Sequence, residues 1–294
     1  TGAIVACGAK PIFVDCDERY QINVSQIDSV VTKKTKAILP VHWGGASPDM
    51  NIIMKIAKKY KLKIIEDSAD TIGYEYKTEL SDWSDVSTTS FYASHVVTGS
   101  GFGGMATFKN KDHYEYARSL RGWGRRSSQY GETEDYNRRF DCKIGGYDYD
   151  DKYVFDDLGY NFMPSEISAA FALVQINNLE NNLQGRDNNF KILSNSFAKS
   201  PNFKTFKAYD NVYTGWLAFP MLLTNKLKGK RKQFQIFLEK AGIQTRTIFT
   251  GNILKQPIMK FKKFKKIKNA EMVSNNVMEN GILIGCHQDL KTKD

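Results

Sequence analysis

Between residues 37 and 66 two short apolar runs flank one amphipathic helix pattern, and that rhythm narrows the fold more than any other feature. Ala37 to Val41 (AILPV) reads as a buried strand. Pro48 and Asp49 then open a helix over Met50 to Tyr60, whose apolar residues recur at helical spacing. Leu62 to Glu66 (LKIIE) is the next strand and delivers Asp67 at its C-terminal end. Strand, helix, strand at this spacing calls for a right-handed crossover and a parallel sheet, hence an α/β fold. Ligands of such sheets collect at the carboxyl ends of the strands, where Asp67, Asp70 and His95 all fall.

The segment Ser87 to Phe108, STTSFYASHVVTGSGFGGMATF, carries the densest chemical signal. It reads as a strand (Thr88 to Tyr92), then His95, a glycine-rich turn and a second strand (Met105 to Phe108). Glycine there frees the backbone for a tight fold round a ligand or for positive φ. An ordinary hairpin with a solvated histidine is the plain alternative.

Ser90-Phe91, a cofactor-lysine position four residues on, and Gly103-Gly104 together resemble a segment of the DegT/DnrJ/StrS sugar aminotransferases. These are fold-type I pyridoxal-phosphate enzymes. Here the lysine position holds His95, and no lysine occurs between Lys77 and Lys109. Within the family, histidine at that place marks the nucleotide-sugar 3-dehydratases, which do not tether the cofactor. The resemblance implies an aspartate-aminotransferase-like fold: a three-layer αβα large domain over residues 1–205 and a smaller α+β lobe over 206–294. It also implies a chain cut short at both ends, because the family's phosphate-binding turn precedes the segment TGAIVACGAKPIFVD.

The same resemblance assigns further residues. Glu66-Asp67-Ser68-Ala69-Asp70-x-x-Gly73 is similar to the family's E-D-x-A-x-x-x-G, whose aspartate pairs with the pyridine nitrogen. A carboxylate there keeps the ring protonated and so an electron sink. Asp67 as a helix N-cap is the alternative. Asp70 stands where many aminotransferases carry glutamine or histidine, and Ser90 belongs to the cofactor segment. In LGYNFMPSEISAAFALVQINNLE, Asn161 would reach the cofactor phosphate of the neighbouring subunit of a homodimer; a turn asparagine is the alternative. Pro164 and Ser165 open a helix with an apolar face of Ile167, Ala170, Phe171 and Val174. GIQTRTIFTGNILKQP offers Arg246 to a phosphate or carboxylate of the substrate. The span Arg125 to Asp157 reads as a long surface loop, similar to the loop that carries iron–sulfur cysteines in some dehydratases. Cys142 alone cannot ligate a cluster, so none is expected, and no metal site either.

In function, the resemblance implies a pyridoxal/pyridoxamine phosphate-dependent 3-dehydratase of NDP-4-keto-6-deoxyhexoses, with His95 as acid and base. Glutamate would restore the amine form of the cofactor, and the setting would be deoxysugar or surface-polysaccharide synthesis. A keto-sugar aminotransferase and a non-catalytic sugar-nucleotide binder stay open beside it. The chain carries a net charge of +10, with lysines crowded between Lys226 and Lys268. A solvated basic face explains this better than a nucleic-acid patch, since no nucleic-acid module is present. Four scattered cysteines, no CxxC pair and no long apolar run fit a cytoplasmic protein with no membrane span.

Overall fold

The computed structural model describes residues 1–76, 84–131, 134–261, 264–266 and 272–291. Lys77 and part of the lysine-rich run ending at Lys268 lie outside them. The crossover unit forms where the sequence puts it. Strand β1 (Ala37–Ile38), helix α1 (Met50–Tyr60) and strand β2 (Lys63–Asp67) are followed by β3 (Val86–Ser90) and β4 (Gly104–Phe108). They make one sheet in the order β1-β2-β3-β4. The first two pairings are parallel; β4 returns antiparallel, because only the glycine-rich turn separates it from β3. The sheet is mixed and mostly parallel, as expected of this α/β class.

Helix α1 starts at the residue its cap dictates: the Asp49 side chain accepts the Ile52 N–H at 3.1 Å. It stops at Lys61, which takes a left-handed φ of 53°. Its inner face buries Met50, Ile53, Ile56 and Ala57 against Ile38 and Ile64 of the sheet. Complete burial of side chains this size contributes about 1.5–3 kcal/mol each, which secures the layer that carries Asp67.

Helices α2 (Lys111–Arg121), α3 (Glu166–Ile176) and α4 (Leu179–Phe197) lead to a second sheet. It comprises β5 (Phe203–Thr205), β6 (Ala218–Leu223), β7 (Thr245–Thr247) and β8 (Gly281–Gly285) in the order β7-β8-β6-β5, antiparallel throughout. The expected division at residue 205/206 falls just behind β5, which hydrogen-bonds into this second sheet. Helices α5 (Arg231–Lys240) and α6 (Met272–Asn280) belong to the same part of the chain. Phe190 of α4 stacks on Trp216 at 3.8 Å, and both pack with Phe219, Met221 and Ile282. Arg186 is buried on the same helix, and its guanidinium donates to the carbonyls of Trp216, Leu217 and Cys286. A buried cation needs such acceptors, so α4 is locked to the strand ends it crosses.

The first residues clamp onto the C-terminal part. Ile12–Phe13 pairs in parallel with Lys265–Lys266. The Asp15 carboxylate accepts the N–H groups of Val273 and Ser274, at 3.0 and 3.1 Å, in the first turn of α6. It is a helix cap supplied from 258 residues away.

One expectation changes. The span 125–157 is a surface excursion but not a bare loop. It holds a 3₁₀ turn (Arg126–Tyr130), a short helix (Tyr136–Arg139) and a two-residue hairpin, Lys143–Ile144 with Tyr147–Asp148. Arg126 grips Asp156 through both nitrogens, at 2.8 and 2.7 Å, and that fork supplies the order a loop lacks. The apolar face read for α3 is present and exposed: Ile167, Phe171 and Val174 are 79%, 50% and 65% exposed, and Ala172 is the helix's buried residue.

Candidate active site

The end of β2 is held from both sides before any side chain acts. The Asp67 N–H donates to the Pro40 carbonyl at 3.0 Å, and the His42 N–H donates to the Asp67 carbonyl at 2.9 Å. The Asp67 side chain then stands at the cavity, and its Oδ1 accepts the Ala69 N–H at 3.2 Å. No helix follows Asp67 before the strand at Glu75, so the helix-cap alternative is not what the structure shows; the Ala69 contact closes a turn and leaves Oδ2 for another partner.

One turn further on, the Asp70 Oδ2 accepts the Gly44 N–H at 3.0 Å. Gly44 has φ of 67°, a left-handed conformation in which glycine meets no side-chain penalty. His95 closes a turn by donating its N–H to the Tyr92 carbonyl at 3.0 Å. Its Nδ1 lies 3.6 Å from Asp70 Oδ1, buried and without a hydrogen-bond partner among the described residues. The glycine-rich turn keeps it there. A Cβ on Gly99 would sit 2.2 Å from the Phe102 carbonyl oxygen, so this turn closes only with glycine. From α3, Gln175 accepts the Thr98 N–H at 3.1 Å and donates to its carbonyl at 2.6 Å, pinning the same turn.

Burial decides the protonation of the pair. It pushes the Asp70 carboxyl up, against the Gly44 N–H and the His95 charge, with Asp67 adding to the rise. It pulls the His95 imidazole below its ordinary value, against the pull of Asp70 and Asp67. Desolvation disfavours each charged form, so His95 meets neutral pH as the unprotonated ring. With Nδ1 turned to Asp70, Nε2 is the nitrogen left to the cavity.

That cavity holds about 530 Å³. Asp67, Ala69, Asp70 and His95 line it together with Trp43 and Phe249. Phe249 has φ of 39° and rests edge-on against Trp43 at 5.9 Å. The segment Ile248–Leu254 and the Phe13–Cys16 segment complete the lining, so both parts of the chain contribute. The volume and mixed chemistry suit a small polar molecule with a ring.

Of the residues singled out from sequence, Asp67, Asp70 and His95 come together here. Ser90 ends β3, half-buried, and its hydroxyl accepts the Tyr92 N–H at 3.2 Å, outside the cavity lining. Asn161 is exposed and pairs through its backbone with Gly122; Gly124 packs so tightly on this segment that a Cβ there would meet the Asp157 carbonyl at 1.8 Å. Arg246 is exposed on β7 and donates to its neighbour's carbonyl at 2.7 Å, away from the lining. Trp43, Phe249 and the Gly44 amide were not anticipated. Phe249 lies inside the TIFTGN run whose likeness to the dehydratases was visible, whereas the Gly44–Asp70 bond joins residues 26 apart. Among the described residues no three His, Cys, Asp or Glu side chains are placed to hold a metal, and no helix is long and apolar enough to cross a membrane.

Comparison with known proteins bears on the whole chain. The DegT/DnrJ/EryC1/StrS aminotransferase family matches residues 1–294. The lipopolysaccharide biosynthesis protein RfbH of Salmonella typhimurium is 31% identical over 287 residues, covering 95% of this chain and 65% of that protein. The dTDP-4-dehydro-2,6-dideoxy-D-glucose 3-dehydratase of Saccharopolyspora spinosa is 29% identical over 288 residues, covering 95% and 62%. The chain thus spans less than two thirds of the length of these relatives. Among solved structures, an E. coli GDP-4-keto-6-deoxy-D-mannose-3-dehydratase with bound hydrated PLP shares the fold with a TM-score of 0.84, at 23% identity over 97% of this chain and 72% of that one.

Proposed function

The chain belongs to the DegT/DnrJ/EryC1/StrS aminotransferase family, and from that premise we propose that it is the greater part of a pyridoxal/pyridoxamine phosphate-dependent 3-dehydratase of NDP-4-keto-6-deoxyhexoses. One observation carries the reading: His95, at the position that resembles the family's cofactor lysine, lines the cavity with two carboxylates, its buried Nδ1 without a hydrogen-bond partner among the described residues. The residues fit the cofactor. Asp67 has a carboxylate oxygen free at the strand's carboxyl end, and the lining offers ring-sized space beside the Ala69 methyl. When bound, the cofactor would supply an electron sink for cleavage at the substrate's C3.

The chain's own groups do the rest. Asp67 holds a proton on the pyridine nitrogen through charge. His95 Nε2 takes a proton as base and hands it to the departing C3 oxygen as acid; one imidazole serves both because its neutral form prevails at neutral pH. An imidazole also forms no covalent tether to the cofactor, which leaves the cofactor to the substrate. The Trp43 and Phe249 rings of the lining present apolar surface that excludes water. The exposed stripe of α3 and the exposed Asn161 support a homodimer in which Asn161 reaches the neighbouring site. Arg246 is assigned to the substrate's phosphates, Ser90 to the cofactor segment and glutamate to regeneration of the amine.

The test is product mass. The complete protein with pyridoxamine phosphate, glutamate and a 4-keto sugar nucleotide should yield a product that has lost the C3 oxygen. His95→Lys should suppress that loss, tether the cofactor (read as a change in its absorbance) and favour gain of an amine. Amine gain by the parent would make the protein an aminotransferase. Dehydration by His95→Lys at the parent's rate would remove His95 from the chemistry.

A further inference from the structure

A second carboxylate–histidine pair stands behind the first. His42 is wholly buried, and its Nε2 lies 2.7 Å from the Glu66 Oε2, itself on a side chain 3% exposed. The Tyr74 hydroxyl donates to the same oxygen at 3.0 Å, and the Tyr74 ring covers the imidazole with centroids 4.9 Å apart. Glu66 and Asp67 are consecutive in β2, so their side chains leave on opposite faces. Asp67 lines the cavity, while Glu66 points behind the sheet into contact with His42.

The turn after His42 joins the two pairs. The His42 N–H is bonded to the Asp67 carbonyl, and two residues later the Gly44 N–H is bonded to Asp70 Oδ2. Gly44 returns its carbonyl to the Leu217 N–H at 3.1 Å, and a Cβ on Gly45 would meet the Trp216 Cα at 2.8 Å. Asp70 is therefore tied by one oxygen, with the other 3.6 Å from His95 Nδ1, just beyond hydrogen-bond range.

We propose that the His42–Glu66 pair is a positioning element for His95: by anchoring the turn 42–45 it keeps the Gly44 amide on Asp70 and so holds the Asp70 carboxylate off the imidazole. A carboxylate free to rotate would close the remaining gap and stabilise the imidazolium. His95 would then enter the reaction already protonated, the wrong form for a base. Burial works against the Glu66 charge, yet the His42 contact and hydroxyl donors outweigh it and hold the carboxyl below its ordinary range, as an anchor requires. The ionisable groups that face His95 are Asp70 and Asp67 from the end of β2 and Tyr92 of its own turn, with ring centroids 6.2 Å apart. Asp15, Cys16 and Tyr20 also line the cavity.

The role of His95 as the base rests on the dehydratase reading; the coupling itself does not, and a titration without substrate separates them. The chain has four histidines, so the His95 ring resonances of the complete protein can be assigned by substitution and followed by NMR against pH. His42→Gln trades the rigid, chargeable imidazole for a flexible, uncharged side chain and so releases the turn from Glu66. It should move the His95 titration up by about one pH unit, and the same change in an Asp70→Asn background should move it not at all. An unmoved His95 in folded His42→Gln, or a movement that persists with Asp70→Asn, overturns the proposal. If His42→Gln does not fold, Glu66→Gln decides by the same titration: a smaller upward movement supports the proposal and none refutes it. Failure to dehydrate a sugar would sink the function while leaving this result untouched.

Discussion

Asp15→Ala tests how the two ends of the chain are held around the cavity. The wild-type carboxylate is buried and accepts two N–H groups in the first turn of α6, at 3.0 and 3.1 Å. Hydrogen bonds to a charged acceptor contribute about 1.5 kcal/mol each at the low end. The carboxylate's position at a helix N-terminus adds about 0.3–1 kcal/mol. Alanine should therefore cost about 3.5 kcal/mol, or roughly 6 °C in Tm for a chain of this size. Asparagine keeps an acceptor but no charge and should cost about half as much. Urea unfolding is the assay, with the midpoint falling and the slope unchanged. Since Ser274 and Val277 of α6 line the cavity, KM for the sugar nucleotide should rise in the same order. A loss under about 1 kcal/mol for alanine, or equal losses for alanine and asparagine, would refute the charge-assisted clamp.

Asp67→Asn should leave the urea midpoint close to that of the parent and lower kcat about 100-fold or more, because a neutral partner no longer keeps the pyridine nitrogen protonated; near-normal turnover would leave Asp67 only its turn contact with the Ala69 N–H. Because burial holds the His95 imidazole below its ordinary 6.5, kcat/KM should stay high as pH falls to that value and drop only below it. The stability linkage has the same sign: His95 contributes stability above pH 6.5 that is lost as pH falls through its lower folded value. A kinetic acid limb above 6.5 would assign the base to another group.

Periodicity alone determined the scaffold. Asp49, the apolar spacing of Met50 to Tyr60 and the run before Asp67 specify helix and strands locally, and α1 forms over the residues expected. His95 and Asp67 were legible because Ser90-Phe91, Gly103-Gly104 and the Glu66-Asp67-Ser68-Ala69 run resemble the family's cofactor segments; local pattern alone left each with a plain alternative. Tertiary structure decided what is not local. Nothing in the sequence near Asp70 announces a bond to the Gly44 amide, near Asp15 a cap on Val273 and Ser274, or near Phe249 a place against Trp43. Periodicity reports that α3 has an apolar face but not which surface covers it, and that face is exposed on this chain. Contacts between residues tens to hundreds of positions apart depend on how layers stack, and the protonation of Asp70 and His95 depends on the burial that stacking creates.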